Sequence, residues 1–200
     1  MNLLQRSVGP MLVLFMVDFG KSLNKKIDHS TDVKVWEIVY SKDGSVKEVT
    51  KVMQLKGHKS AVTWLCFSLN SEQIITASKD GSIRIWNINV RYHLDEDPKT
   101  VKVFPIPLHE SSGSTLHYDQ LALSPDGKIL ATTYGSTLQW LCIETGKVLD
   151  TAEKAHDGDI TSIAWAPKAI PTGNEQAVVL ATAGVDKKVK LWAAPSVNSS

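Results

Sequence analysis

Gly57 to Trp86 reads GHKSAVTWLCFSLNSEQIITASKDGSIRIW, and Ala155 to Trp192 reads AHDGDITSIAWAPKAIPTGNEQAVVLATAGVDKKVKLW. Aligned on their histidines, the two stretches carry one pattern. A small residue and a His open each, and an Asp stands six residues before a final Trp: Asp80 before Trp86, Asp186 before Trp192. Val62-Thr63-Trp64-Leu65-Cys66-Phe67 matches Ile160-Thr161-Ser162-Ile163-Ala164-Trp165 position for position. Ile74-Ile75-Thr76-Ala77 then matches Leu180-Ala181-Thr182-Ala183. Each copy closes on alternating apolar and polar residues, the period-two signature of a β-strand. Asp80-Gly81 between two such runs predicts a hairpin, because Gly supplies the positive φ of a tight turn. A repeated unit of this kind cannot bury its face alone and must stack on neighbours.

Two weaker copies fill the rest. Asp32-Val33-Lys34-Val35-Trp36 reads as a closing strand, and Leu121 to Gly127 as a strand followed by a turn. Gly135 to Leu141 aligns as a third closing strand, with Leu141 in the Trp position. The closing positions 36, 86, 141 and 192 lie 50, 55 and 51 residues apart. One four-stranded propeller blade takes roughly 40–45 residues. The surplus is assigned to two polar loops, His93–Ser114 and Lys168–Gln176. The expectation is an all-β chain: a partial β-propeller of about three four-stranded blades plus one stray strand.

The repeated residues resemble those of the WD-repeat (WD40) family. That resemblance implies a hydrogen-bonded network inside each blade, formed by His58, Thr76, Asp80 and Trp86 in one copy and His156, Thr182, Asp186 and Trp192 in the other. The first closing strand departs from the pattern, with Ser30 where the network Asp would stand. The third has Tyr134 or Gly135 there and no final Trp. The resemblance also implies that the loops entering the first strand and preceding the network Asp gather on one face that takes protein partners. The matching residues are Lys59, Ser60 and Lys79, then Asp157, Asp159 and Val185. Trp64 stands where its twin is the small Ser162. It reads either as a partner anchor, since Trp is over-represented among binding hot spots, or as packing against the next blade.

Within the family, Asp32–Glu37, Leu55-Lys56-Gly57-His58 with Ala61-Val62, Ser78-Lys79-Asp80-Gly81 and Leu121–Pro125 resemble the transducin beta-like branch over about residues 31–192. This implies the C-terminal half of a propeller that scaffolds protein partners, a kinase among them, in endoplasmic-reticulum stress signalling. The branch's membrane anchor has no counterpart here. The chain is therefore expected to be cytoplasmic, or endoplasmic-reticulum-associated where a parent form carries an upstream anchor. The expected organisation is an atypical segment at 1–30 from an alternative start, the partial propeller at 31–193, and a flexible tail at 194–200. Self-pairing would complete the ring. The alternatives are an RNA-binding adaptor or a truncated, non-functional fragment of a longer WD-repeat protein.

Composition supplies few competing functions. Twenty-two Lys and Arg against twenty-one Asp and Glu leave a net charge of +1, which gives no broad electrostatic footprint for nucleic acid. Cys66 and Cys142 are the only cysteines and lie inside strand patterns, as suits a reducing compartment. The apolar run Met11–Val17 is far shorter than the roughly 20 residues of a membrane span. Gly20-Lys21-Ser22 lacks the upstream Gly of a phosphate loop, with Phe15 in its place, and no nucleophile elbow or zinc motif occurs. His93, His109 and His117 share a long stretch with Asp95, Glu110 and Asp119, at spacings of no familiar ligand set. They read as a solvated loop, as does Asp95-Glu96-Asp97, which could alternatively dock a basic partner. Asn198-Ser199-Ser200 forms a glycosylation triplet that matters only in a secreted chain. No catalytic residue, cofactor or metal is expected.

Overall fold

The computed structural model describes residues 2–8, 11–18, 31–106, 117–172 and 175–197. The chain divides into two compact units, Met1–Val103 and Phe104–Ser200. Both are built from strands in sequential meanders, and the described residues include no α-helix.

The first unit carries two four-stranded sheets. One runs in the order β1 (Asn2–Val8), β2 (Met11–Asp18), β3 (Val33–Tyr40), β4 (Val46–Leu55). The other runs β5 (Val62–Phe67), β6 (Gln73–Ser78), β7 (Ser82–Asn87), β8 (Lys99–Pro105), with the unit boundary inside β8. Alternation along each strand sends every second side chain to one face. Val33, Val35, Met53 and Leu55 of the first sheet thus meet Val62, Leu65, Ile74 and Trp86 of the second in one dry core. At its edge Tyr92 donates its hydroxyl to Glu37 at 2.7 Å.

The second unit repeats the plan. Its first sheet is β9 (Gln120–Leu123), β10 (Ile129–Tyr134), β11 (Thr137–Cys142) and β12 (Val148–Ala152). Its second has three strands, β13 (Ile160–Trp165), β16 (Val179–Gly184) and β17 (Val189–Ala193). A separate hairpin, β14 (Ile170–Thr172) and β15 (Glu175–Ala177), projects between β13 and β16. Ile129, Ala131, Leu138 and Trp140 of one sheet pack against Ile160, Leu180 and Trp192 of the other. The Trp165 indole N–H donates to the Ala122 carbonyl at 2.9 Å, and the Gln120 amide to that of Ile160 at 3.2 Å.

The pairing registers agree with the alignment of the repeats. Thr76 pairs with Arg84, Thr132 with Gln139 and Thr182 with Lys190. Leu130 pairs with Leu141 as Ile74 pairs with Trp86 and Leu180 with Trp192, so Leu141 does occupy the Trp position. Both well-specified copies also shift register at the start of the first strand, between Val62 and Trp64 and between Ile160 and Ser162.

Four finer expectations are corrected. The strand through Trp36 is not stray: β3 lies between β2 and β4, and residues 2–8 and 11–18 extend the sheet. The Trp strands of the first two sheets do not close them, because β4 and β8 lie outside β3 and β7, whereas β17 does end the last sheet. The stretch from His93 is not wholly a polar loop, since β8 runs through it. Val101 and Val103 of this outer strand are exposed, so its short apolar alternation does not mark a core face. The stretch from Lys168 likewise contains the β14–β15 hairpin.

Candidate functional site

In the first unit, four side chains form one continuous chain of hydrogen bonds. Trp86 Nε1–H donates to Thr76 Oγ1 at 2.9 Å, Thr76 Oγ1 meets His58 Nε2 at 2.7 Å, and His58 Nδ1 meets Asp80 Oδ2 at 2.9 Å. A carboxylate only accepts, so Nδ1 carries the proton, Nε2 is bare, and the Thr76 hydroxyl donates to it. The set is satisfied with a neutral imidazole. Burial accordingly holds the His58 pKa below its ordinary value, against the opposing pull of Asp80. Burial alone would push Asp80 up. Hydrogen bonds from the Ser82 hydroxyl, the Lys59 amide and His58 outweigh it and hold the carboxyl at about 2.

The second unit builds the same chain. Trp192 Nε1–H donates to Thr182 Oγ1 at 2.9 Å, Thr182 Oγ1 lies 2.7 Å from His156 Nε2, and His156 Nδ1 lies 3.0 Å from Asp186 Oδ1. Here too burial opposes ionisation of the Asp. The bonds from His156 and from the Asp157 and Lys188 amides prevail, and Asp186 sits at about 2.

Beyond the blade interior, each Asp fastens two loops together. Asp80 Oδ2 accepts from the Lys59 amide at 2.9 Å, while the Lys79 amide donates to the Ala61 carbonyl at 2.9 Å and Ser78 Oγ to the Ser60 carbonyl at 3.0 Å. Asp186 Oδ2 accepts from the Asp157 amide at 3.1 Å, and the Val185 amide donates to the Asp159 carbonyl at 2.9 Å. Lys59 and Lys79 are thereby held on adjoining loops of one sheet, both exposed. Asp157, Asp159 and Val185 are held likewise on the other, all exposed. Ser60 is half-buried, its carbonyl already engaged. Asp157 shares its charge with Lys188 Nζ at 2.9 Å, which leaves Asp159 as the more open acidic group. Trp64 is half-buried. Its register position is filled in the third sheet by Gln120, which reaches across to the neighbouring sheet.

Sequence reasoning missed two features. Arg84 and Lys190 occupy one repeat position and reach back over the network: the Arg84 guanidinium lies 5.8 Å from the Trp86 ring centroid, and Lys190 Nζ donates to the Ala155 carbonyl at 2.6 Å. The signal was available, two long basic side chains at equivalent places. In the degenerate third sheet, the buried Tyr118 hydroxyl donates to Gln139 Oε1, and Gln139 Nε2 donates to Thr151 Oγ1 at 3.1 Å. No repeat marked these residues, because they replace the pattern. Of the polar loop, His93 and Asp95 are exposed, and His117 lies 3.7 Å from Asp119. His109 and Glu110 fall outside the described residues. No cluster suited to a metal occurs among the described residues, and no helix among them is long and apolar enough to cross a membrane.

Sheets with the Trp strand in third place, knitted by a His–Thr–Asp–Trp network, define a WD40-repeat chain. The family model for the WD domain, G-beta repeat, matches residues 49–87 and 146–193, the two spans that hold the networks' Asp and Trp. The chain is similar to transducin beta-like protein 2 of Homo sapiens, 33% identical over 134 residues that make up 67% of this chain and 29% of that protein. The Mus musculus protein of the same name is 31% identical over 134 residues. Pre-mRNA-processing factor 19 of Mus musculus is 32% identical over 143 residues, 69% of this chain and 23% of that protein. The matched region thus spans less than a third of the length of these relatives.

Proposed function

We propose that the chain is a non-enzymatic protein-interaction scaffold that recognises partners through the loops fastened by Asp80 and Asp186. The observation that carries this reading is the double duty of each Asp. It is bonded inward to a buried His and outward to a backbone amide of the entry loop, so the blade interior fixes the loop it presents. One unit offers the basic pair Lys59 and Lys79. The other offers Asp159, Val185 and the ion-paired Asp157, so each unit presents its own loop face, basic in the first and acidic beside an apolar Val185 in the second. Rigid loops of this kind lower the ordering cost of binding. The polar residues at their core are engaged in structure, which leaves them no free nucleophile or base. Likeness to the transducin beta-like relatives supports a finer reading, a kinase partner in endoplasmic-reticulum stress signalling.

The test is proximity labelling with the wild-type chain and with Lys79→Glu in stressed and unstressed cells. Lys79 is exposed, so the variant should melt within about 0.5 kcal/mol of wild type while losing a defined subset of labelled proteins, a kinase among them under stress. Identical labelling by both chains would sink the loop-face assignment. Salt-sensitive retention of RNA would replace it with nucleic-acid binding.

A further inference from the structure

Arg84 stands on β7, a central strand of the second sheet, two residues before Trp86. Its guanidinium lies over the Trp86 ring, 5.8 Å from the centroid. The side chain makes no hydrogen bond and no ion pair among the described residues. Nε is closed to water, whereas the two Nη groups, equally without partners, are not buried. Arginine carries five N–H donors in a rigid fork, and a buried donor left unmet is costly. Here the inner edge of the fork is fixed against the blade, and its outer edge is open.

Lys190, the counterpart in the second unit, shows the same position serving structure alone. It donates to the Ala155 carbonyl at 2.6 Å, and Ala155 is itself buried. Arg84 makes no such bond to Gly57. Gly57 is exposed, with φ +152°. A Cβ on it would lie 2.9 Å from Arg84 Nη1 and 3.3 Å from Trp86 Cη2, so only Gly lets the guanidinium come so close to the exposed entry loop. Lys56 and Lys59 flank Gly57-His58, and Lys79 stands on the adjoining loop, all three exposed. The neighbouring acid, Asp80, is engaged with Ser82, Lys59 and His58 and does not pair with Arg84.

We infer that Arg84 anchors a partner segment through one carboxylate, an Asp or Glu side chain laid against the Gly57 edge of the entry loop. Charge decides the ligand. One fixed guanidinium matches a singly charged, planar acid, which its fork can hold by two parallel bonds. A phosphate dianion would need a second fixed cation, and the lysines nearby are point charges on flexible stems. Their field draws an acidic segment in without fixing its place. The inference deepens the loop-face reading of the first unit and rests on it.

Nuclear magnetic resonance titration of the 200-residue chain tests it. The probes are blocked peptides Gly-Ser-Gly-X-Gly-Ser-Gly in which X is Glu, Gln or phosphoserine. Arg84 Nε–H is shut from water, so its proton exchanges slowly and can be followed. The Glu peptide should shift it saturably, and the Gln peptide should not. Arg84→Lys keeps the charge and loses the fork, so affinity for the Glu peptide should fall about tenfold. Lys190 stands at this position in the other unit, so the variant should keep a cooperative melt. An Arg84 signal unmoved at about 10 mM Glu peptide, equal shifts with Glu and Gln, or undiminished binding by the variant would each overturn the proposal. Phosphoserine binding more than about tenfold tighter than Glu would overturn it in favour of a phosphate site. The Glu and Gln comparison uses wild type alone and stands even where the variant fails to fold. Lys79-dependent labelling without an Arg84 shift would remove the carboxylate anchor and keep the loop face. An Arg84 shift with labelling unchanged in Lys79→Glu would remove the loop face instead.

Discussion

Thr76 Oγ1 serves two buried neighbours at once, accepting from Trp86 and donating to His58. Replacing it by the isosteric Val leaves an N–H and a ring nitrogen without partners in a site closed to water. Such groups cost about 1–3 kcal/mol each. Thr76→Val should therefore lower unfolding free energy by at least that amount in urea titrations. Thr133 is the opposite case, a fully buried hydroxyl with no hydrogen-bond partner among the described residues. Thr133→Val should raise stability by about 1 kcal/mol in the same assay, since it removes an unmet group at constant volume. Comparison of the repeats yields another gain. Gly81 turns with φ +77°, and its counterpart Lys187 is forced to φ +64°. A side chain there is strained where Gly is not. Lys187→Gly should stabilise by about 0.5–1 kcal/mol, and an unchanged or lower denaturation midpoint would refute the turn equivalence.

At the scale of the element, the repeats differ mainly in what is inserted. The β14–β15 hairpin pairs only with itself in the sheet topology, while the Ala166 amide to the Val179 carbonyl at 2.8 Å already bridges its base. Excising residues 169–176 in favour of a short Gly/Asn turn should leave the β13–β16 pairing in place and stability within about 1 kcal/mol, because loop closure changes slowly with length. Loss of the cooperative melt would show that the hairpin is part of the sheet's support. Whole strands were the most legible part of the chain. Ile83 and Ile85 alternate cleanly because a central strand has two neighbours and two committed faces. The outer strand β8 escaped notice because its valines, Val101 and Val103, are the residues that meet water.

For the molecule as a whole, the two networks predict a staged response to acid. His58 is held neutral below its ordinary value of 6.5, so its share of stability is present above that pH and declines as pH falls beneath it. Asp80 and Asp186 sit at about 2 against an ordinary 3.8. Their share is present above 3.8 and is lost as pH falls through 2. The melting temperature should drop modestly below pH 6.5 and steeply between about pH 4 and 2. The steep part should shrink in Asp80→Asn, and a flat profile down to pH 3 would contradict the network geometry.

Much of this was written locally. Strand period, the Asp-Gly turn and the doubled His–Asp–Trp spacing depend on residues a few places apart, and they suffice for an all-β chain of repeated sheets. Even the Leu141 substitution kept its register, because alternation survives the loss of one Trp. What the tertiary structure alone decided depends on contacts between distant segments. The pairing of Val13–Asp18 with Lys34–Val39 follows no repeat, and the Tyr118–Gln139–Thr151 chain joins residues that no motif links. The exposure of Val189 and Leu191 was equally invisible. Their sequence is that of a buried strand, and only the packing of one sheet on another determines which of two identical patterns meets water.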